Sequence, residues 1–341
     1  MSLKLGIMGF GRLGRNMFRI AHDDPEVTFA AVSDIADAET LAYLTRNTTV
    51  EGLFEGELRQ EGHTLVTNRQ RTRVVHGTRP GEVPWDVLGV DIVVEATGQF
   101  RSRRVLERHL EAGAKAVLLS TPPVGEIDRM IINGINDQEL TAEDRIVSNG
   151  SSSCHALALV LKVLQEEVGV KRATMTTVHA YTSDQQLSDT ASADLRWSRS
   201  AAQNIIPNSS WAASAVMKLM PELEGKVNGI ALNVPVPAGS NLDLVVELKK
   251  PLTAEQYNAI FAEAAEGKYK GLLGYTTEPI VSSDVIGNPH SGVIDSKATL
   301  SLNNGLVKSI IWYDNGWAYA YRLLETAKRM AGLIGSREVK S

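Results

Sequence analysis

A run of small polar residues, Asn149, Gly150, Ser151, Ser152 and Ser153, stands directly before Cys154 and the apolar stretch HALALVLKVL. Such residues at a helix start leave several N–H groups aimed forward, where they stabilise an anion or lower the pKa of a thiol. His179 ends the β-branched stretch TMTTVHAY, and an imidazole projecting from a strand end is a candidate general base. Each residue also has a plainer role: a helix cap, a small buried thiol, a structural histidine.

A second group carries binding chemistry. Gly9, Gly11 and Gly14 form GxGxxG between the apolar run LKLGIMGF and an amphipathic stretch, the setting in which this motif marks a dinucleotide site. The first glycine allows a tight turn, the second a close approach to a pyrophosphate, and the third close packing of helix on strand. Asp34 lies 20 positions after Gly14 (34 − 14), at the end of the next apolar run. A carboxylate there accepts hydrogen bonds from the ribose hydroxyls of NAD and repels the 2′-phosphate of NADP, so NAD is the expected cofactor.

The elements that must position these residues follow from periodicity. LKLGIMGF, VTFAAVSD, DIVVEAT and AVLLST read as strands, separated by GRNMFRIAH, DAETLAYLTR and RRVLERHLEAGA with apolar residues at helical spacing. This alternation predicts a doubly wound parallel sheet, with TLVTNRQRTRVVHG as an inserted hairpin. After residue 150 come longer strands, RATMTTVHAY, GIALNVPVP, NLDLVVELKK and KATLSLNNGLVKSIIWYD, the last broken by an NNG turn. Three helices, LALVLKVLQEEVG, SSWAASAVMKLMP and AEQYNAIFAEAAEG, predict an antiparallel sheet covered on one face. The stretch WAYAYRLLETAKRMAGLIG predicts a long final helix returning to the first domain.

Composition bounds the remaining possibilities. With 341 residues, 35 Lys+Arg against 40 Asp+Glu and no basic block, the chain lacks the footprint of a nucleic-acid binder. No apolar run reaches the length of a membrane span, and the N-terminus lacks a signal-peptide pattern. A single cysteine permits no intramolecular disulfide and no cysteine-built zinc site, so no metal and a cytoplasmic location are expected.

Over nearly its whole length the chain resembles phosphorylating glyceraldehyde-3-phosphate dehydrogenases. LGIMGFGRLGRNMFR, EATGQF, HLEAGAKAVLLSTP, SNGSSS, VHAYTSDQQLSD, RSAAQNIIPNSS, SDVIGNPHSGVIDSKA and WYDNGWAY occur in that family's order, with Met8 where the family usually has Asn. The resemblance implies an α/β Rossmann NAD-binding domain at 1–150, completed by a C-terminal helix at 316–341. It implies an α+β catalytic domain with a mixed or antiparallel sheet at 151–315, and a homotetramer. It further implies oxidation of an aldehyde with inorganic phosphate and NAD to an acyl phosphate and NADH.

Carried over by position, His179 is the base, and Asn315 with Tyr319 nearby holds the nicotinamide carboxamide. Gly11, Arg12 and Leu13 match the pyrophosphate loop, Asp34 the adenine ribose, and Thr97 and Ser120 line the cofactor. Ser151, Ser153 and Ser210 match the inorganic phosphate site, and Thr182 with Asp184 the substrate phosphate site.

Two departures stand out. The family's nucleophilic cysteine aligns with Ser152, and 27 positions (179 − 152) is the family's distance to the histidine. Cys154 stands two residues on, off the helix face of Ser152, which leaves it the lesser candidate nucleophile. A serine hydroxyl is a far poorer nucleophile than a thiolate, so the chain as written is expected to be nearly inert in the family reaction. Either a cysteine was replaced to trap a complex, or the chain is a natural paralogue with altered chemistry.

The second departure is Asn233, in LNVP, where the family carries an Arg that contacts substrate phosphate. Trp211 and Trp197 also stand at positions where relatives have smaller or charged residues. The pocket is therefore expected to be less cationic and to prefer a different aldehyde. An erythrose-4-phosphate dehydrogenase-like enzyme, suggested by DQQ and DLRWSR, and a catalytically silent NAD-binding scaffold are the alternatives. Thr190 and Ala191, in place of a DGP-like turn, leave NADP open as cofactor.

Overall fold

The computed structural model describes residues 2–302 and 304–338. Asn303 of the expected NNG turn and the last three residues of the expected C-terminal segment lie outside the described residues. The chain divides into two compact units, Met1–Ser151 with Ala320–Ser341, and Ser152–Tyr319.

The first unit runs β1 (Leu3–Met8), α1 (Arg12–Ala21), β2 (Val27–Ser33), α2 (Ala38–Arg46), β3 (Asn47–Thr48), β4 (Gly52–Leu53), β5 (Leu58–Glu61), β6 (Thr64–Thr67), β7 (Arg71–Val75), β8 (Ile92–Glu95), α3 (Arg103–Glu111), β9 (Ala116–Leu119), β10 (Arg129–Met130) and β11 (Ile146–Ser148). Nine strands form one sheet in the order β10-β11-β9-β8-β1-β2-β7-β6-β5. The pairs from β10 to β7 are parallel, and β6 and β5 add antiparallel edges, so the expected hairpin 64–77 extends this sheet through β7. This is a Rossmann fold. Strands β8 and β9 are buried throughout, which explains their unbroken apolar runs. The chain leaves β1 toward β2 on one side and returns to β8 on the other, and such an order reversal opens a crevice at the strands' carboxyl ends.

The second unit holds α4 (Ser152–Glu167), β12 (Val170–Ala180), β13 (Ile206–Ser209), α5 (Ala212–Leu219), β14 (Val227–Val234), β15 (Ser240–Leu248), α6 (Ala254–Glu266), β16 (Leu273–Thr276), β17 (Gly292–Asp295), β18 (Leu300–Leu302) and β19 (Leu306–Tyr313). The helix α7 (Trp317–Glu338) begins here and ends in the first unit. The sheet order is β13-β14-β12-β15-β19-β17-β16, with β18 on β19. It is mixed rather than antiparallel throughout, because β12 pairs β14, and β16 pairs β17, in parallel. The segment from β12 to β14 carries β13 and α5 and is long enough for the crossover that parallel pairing needs.

Burial alternates strictly along β15 and β19, so one face lies under α4, α5 and α6 while the other is half-open. A capping box starts α6: the Thr253 hydroxyl accepts from Gln256 N–H at 3.2 Å, and the Gln256 side chain accepts from Thr253 N–H at 2.9 Å.

Candidate active site

In the first unit the glycine loop behaves as its spacing requires. Gly9 has φ +90°, and a Cβ on it would lie 2.7 Å from Thr97 N. A Cβ on Gly14 would lie 2.7 Å from the Gly9 carbonyl oxygen, so the third glycine is what lets α1 close onto the loop. At Gly11 a Cβ would meet nothing within 4 Å, so the loop is open there. Gly11 caps α1 without a side-chain bond, so no capping side chain covers the N–H groups of the first turn.

Asp34 closes the other side. Its Oδ2 accepts from Phe10 N–H at 2.7 Å and its Oδ1 from Ala36 N–H at 3.0 Å. Each oxygen keeps a lone pair for a sugar hydroxyl. Arg15, for which the sequence reading has no role, fixes the opposite edge by donating from Nη1 to the Phe10 carbonyl at 3.0 Å. Its only signal is its place one turn after Gly11. Thr97 follows β8 beside Gly9, and Ser120 follows β9 and donates its N–H to the Glu95 carbonyl at 3.0 Å. An open turn, a helix N-terminus and a paired carboxylate fit a dinucleotide.

In the second unit His179 lies at the end of β12. Its Nδ1 is 2.7 Å from the Ala180 carbonyl oxygen, which can only accept, so Nδ1 carries the proton and Nε2 is the basic nitrogen of the neutral ring. Loss of solvent around the ring lowers its pKa below the ordinary histidine value, against the opposing pull of the Ala180 bond and the Asp184 charge. The imidazole meets Tyr313 edge-on at 6.2 Å.

A serine without any motif of its own ties this strand end to Asn315. The buried Ser240 Oγ accepts from Ala180 N–H at 3.0 Å and donates to Asn315 Oδ1 at 3.2 Å. The Asn315 amide is thereby turned so that its NH2 group is the outward donor. Ser240 opens a strand, where serine is ordinary, so no local signal could have found it.

Other expected residues fall as follows. Ser152 and Ser153 are half-buried in the first turn of α4, which starts earlier than the apolar periodicity suggests, and Ser151 immediately precedes it. Cys154 has no exposed surface, and burial pushes its thiol up to about 12, the setting of a core side chain rather than of a reactive thiolate. Tyr319 is buried, edge-on against His155 at 5.9 Å. The Ser210 hydroxyl accepts from Ala212 N–H at 3.4 Å at the start of α5.

Thr182 donates its hydroxyl proton to Asp184, and Asn233 Oδ1 accepts from Asn208 Nδ2 at 3.4 Å. Asn233 is the register partner of His179 on the adjacent strand.

Two family profiles cover most of the chain: residues 3–103 match "Glyceraldehyde 3-phosphate dehydrogenase, NAD binding domain", and residues 151–315 match "Glyceraldehyde 3-phosphate dehydrogenase, C-terminal domain". The chain belongs to the glyceraldehyde-3-phosphate dehydrogenase family. It is 46% identical over 332 residues to glyceraldehyde-3-phosphate dehydrogenase 1 of Bacillus subtilis, covering 97% of this chain and 99% of that one. Glyceraldehyde-3-phosphate dehydrogenase of Geobacillus stearothermophilus is 43% identical over the same shares of both chains. As a member of the glyceraldehyde-3-phosphate dehydrogenase family, the chain is an NAD-dependent oxidoreductase. No helix among the described residues is long and apolar enough to cross a membrane, and these residues contain no cluster of metal-ligating side chains.

Proposed function

We propose that the chain is a phosphorylating aldehyde oxidoreductase, converting an aldehyde, inorganic phosphate and NAD to an acyl phosphate and NADH, with its preference moved away from phosphorylated aldehydes. The observation that carries this reading is the neutral His179 ring, its basic Nε2 free of the Ala180 bond, on the sheet face that α4 covers. Residue 152 opens α4, and in this reading its side chain adds to the aldehyde carbon as His179 takes the proton. Bound NAD supplies the hydride acceptor. The Asn315 NH2 group holds the carboxamide, and the serines at the start of α4, with Ser210, receive the phosphate that releases the acyl group.

Serine at position 152 makes the first addition slow. Neither a helix N-terminus nor one imidazole offsets the difference between a hydroxyl and a thiol. The hydroxyl therefore also supports a second reading, an NAD-binding scaffold that has given up the reaction.

Substrate preference follows from the donors. A phosphate dianion accepts hydrogen bonds and attracts positive charge, but Thr182 has committed its proton to Asp184, and Asn233 offers one uncharged NH2 group. Arg199 does not supply the missing cation, because its Nε pairs with Asp189 Oδ2 at 3.2 Å on the exposed loop. A carboxylate, a hydroxyl oxygen and an amide suit a hydroxyl-bearing, uncharged aldehyde. The same argument disfavours an erythrose-4-phosphate dehydrogenase-like specificity.

A homotetramer in the cytoplasm completes the reading. The half-open sheet face carries Ile230, Val245 and Ile310, and the 180–205 segment exposes Leu187 and Leu195, surfaces suited to a second copy. A single buried cysteine agrees with a reducing compartment.

The deciding experiment is NADH formation by the Ser152→Cys protein with phosphate and a panel of short aldehydes. Faster turnover of uncharged hydroxyaldehydes than of glyceraldehyde 3-phosphate supports the proposal. The reverse order sinks the substrate argument, and silence toward every aldehyde with intact NAD binding favours the scaffold.

A further inference from the structure

Behind the dinucleotide loop lies a set of buried polar side chains that the reaction does not use. Trp85, His109 and Glu95 have no exposed surface. Trp85 Nε1 is 3.1 Å from His109 Nδ1, and an indole N–H can only donate, so Nδ1 is the acceptor and the ring proton sits on Nε2. That Nε2 donates to Glu95 Oε2 at 3.2 Å. The other carboxylate oxygen, Oε1, accepts from Thr97 N–H at 2.9 Å and from the Thr97 hydroxyl. The row therefore has one direction, from indole to imidazole to carboxylate, and it ends by taking the hydroxyl proton of Thr97.

Such an arrangement needs a reason. A buried carboxylate with an imidazole beside it is no better for stability than apolar residues of the same volume. The surroundings hold it rigid: Trp85 packs so tightly over Gly6 that a Cβ there would come within 2.8 Å of the indole. Thr97 is the one member that reaches the surface, beside Gly9 and at the carboxyl ends of β1 and β8 where the strand order reverses. With its proton committed inward and Gln99 N–H donating to its oxygen at 3.1 Å, the hydroxyl can only accept from outside. A pyrophosphate cannot use an acceptor, whereas a sugar hydroxyl can.

We propose that Trp85, His109 and Glu95 form a positioning relay that holds the Thr97 hydroxyl as an acceptor for a ribose hydroxyl of the bound dinucleotide. Thr97 is the contact, and the other three act through it.

The test is a double-mutant cycle on NAD dissociation from the full-length protein, measured by calorimetry, with Thr97→Val, His109→Leu and the double variant. Each single change is expected to weaken NAD about tenfold. The double variant is expected to bind no more weakly than the weaker single one, because the relay has no target once the hydroxyl is gone. His109→Gln, whose amide both accepts from the indole and donates to the carboxylate, is expected to stay within about threefold of the parent. If His109→Leu loses its cooperative thermal transition, Glu95→Gln takes its place in the cycle with the same expectation. Losses that multiply in the double variant, a His109→Gln protein as weak as His109→Leu, or unchanged affinity in both single variants would overturn the relay.

Discussion

His179 and Asn233 are direct partners in the parallel register of β12 and β14, and both lie on the helix-covered face of the sheet. The side chain at 233 therefore stands beside His179, and its lack of charge bears on whatever binds there. In the Ser152→Cys background, Asn233→Arg is expected to raise kcat/KM for a phosphorylated aldehyde by about 10- to 100-fold, the worth of one charged hydrogen bond. Steady-state rates on paired phosphorylated and unphosphorylated aldehydes check this, and an equal gain on both would refute it.

The thiol at 154 and the hydroxyl at 152 separate cleanly. Ser152→Cys is expected to raise aldehyde oxidation by at least about 10³-fold, since it puts a thiol in place of a hydroxyl at the proposed nucleophile position. Adding Cys154→Ala to that protein is expected to leave the rate within about twofold and to cost on the order of 1 kcal/mol of stability from the small cavity. Rate and denaturant midpoint, measured together, decide. A rate that collapses with Cys154→Ala would return the role to the buried thiol.

Acidity follows the burial of His179. Its pKa lies below the usual value of about 6.5, so the ring stays neutral and basic to lower pH than a solvated histidine. Asp184 opposes that lowering, so Asp184→Asn is expected to move the titration further down in pH. Isotope-labelled imidazole signals followed against pH, with His179→Gln for assignment, show the direction. An upward movement would mean that the Asp184 charge does not reach the ring.

Ser240→Ala removes both bonds at once. The buried Ala180 N–H loses its acceptor, at a cost of about 1–3 kcal/mol, and the Asn315 amide loses its orientation. A roughly tenfold fall in the hydride-transfer rate in the Ser152→Cys background, with NAD affinity changed by less than about threefold, is expected in single-turnover measurements.

Asp34 holds the loop through both oxygens and is the carboxylate expected to meet the ribose. Asp34→Asn keeps one acceptor oxygen for Phe10 N–H but loses the charge, so NAD is expected to weaken by about tenfold while NADP improves relative to it. Calorimetric dissociation constants for both cofactors test the pair, and tighter NADP binding by the unaltered chain would reverse the assignment.

The glycine loop was legible because each of its requirements is local: a positive φ at Gly9, no room for a Cβ at Gly14, open space at Gly11. The strands of the first unit were legible because burial on both faces leaves unbroken apolar runs. What escaped reading depends on contacts distant in sequence. Ser240 meets Asn315 only because β15 pairs β19, and His109 meets Glu95 and Trp85 only once α3 has packed. The parallel pairing of β12 with β14 was hidden for the same reason, since neither strand's composition reveals its partner's direction. Cys154 kept two readings in the sequence because a thiol near a helix start has the same local signature whether it points outward or into the core.

The last helix sets an order of events during synthesis. Thr326 bonds Asn149 at 3.0 Å and Asn133 at 3.1 Å, and Lys328 pairs with Glu26 at 2.9 Å, so the N-terminal unit is finished by residues near the end of the chain. The unit translated second is one continuous segment and can complete its core while the ribosome is still adding α7. A chain cut before that helix leaves Asn149, Asn133 and Glu26 without these partners, so removing α7 is expected to destabilise the first unit before it injures the sheet that bears His179.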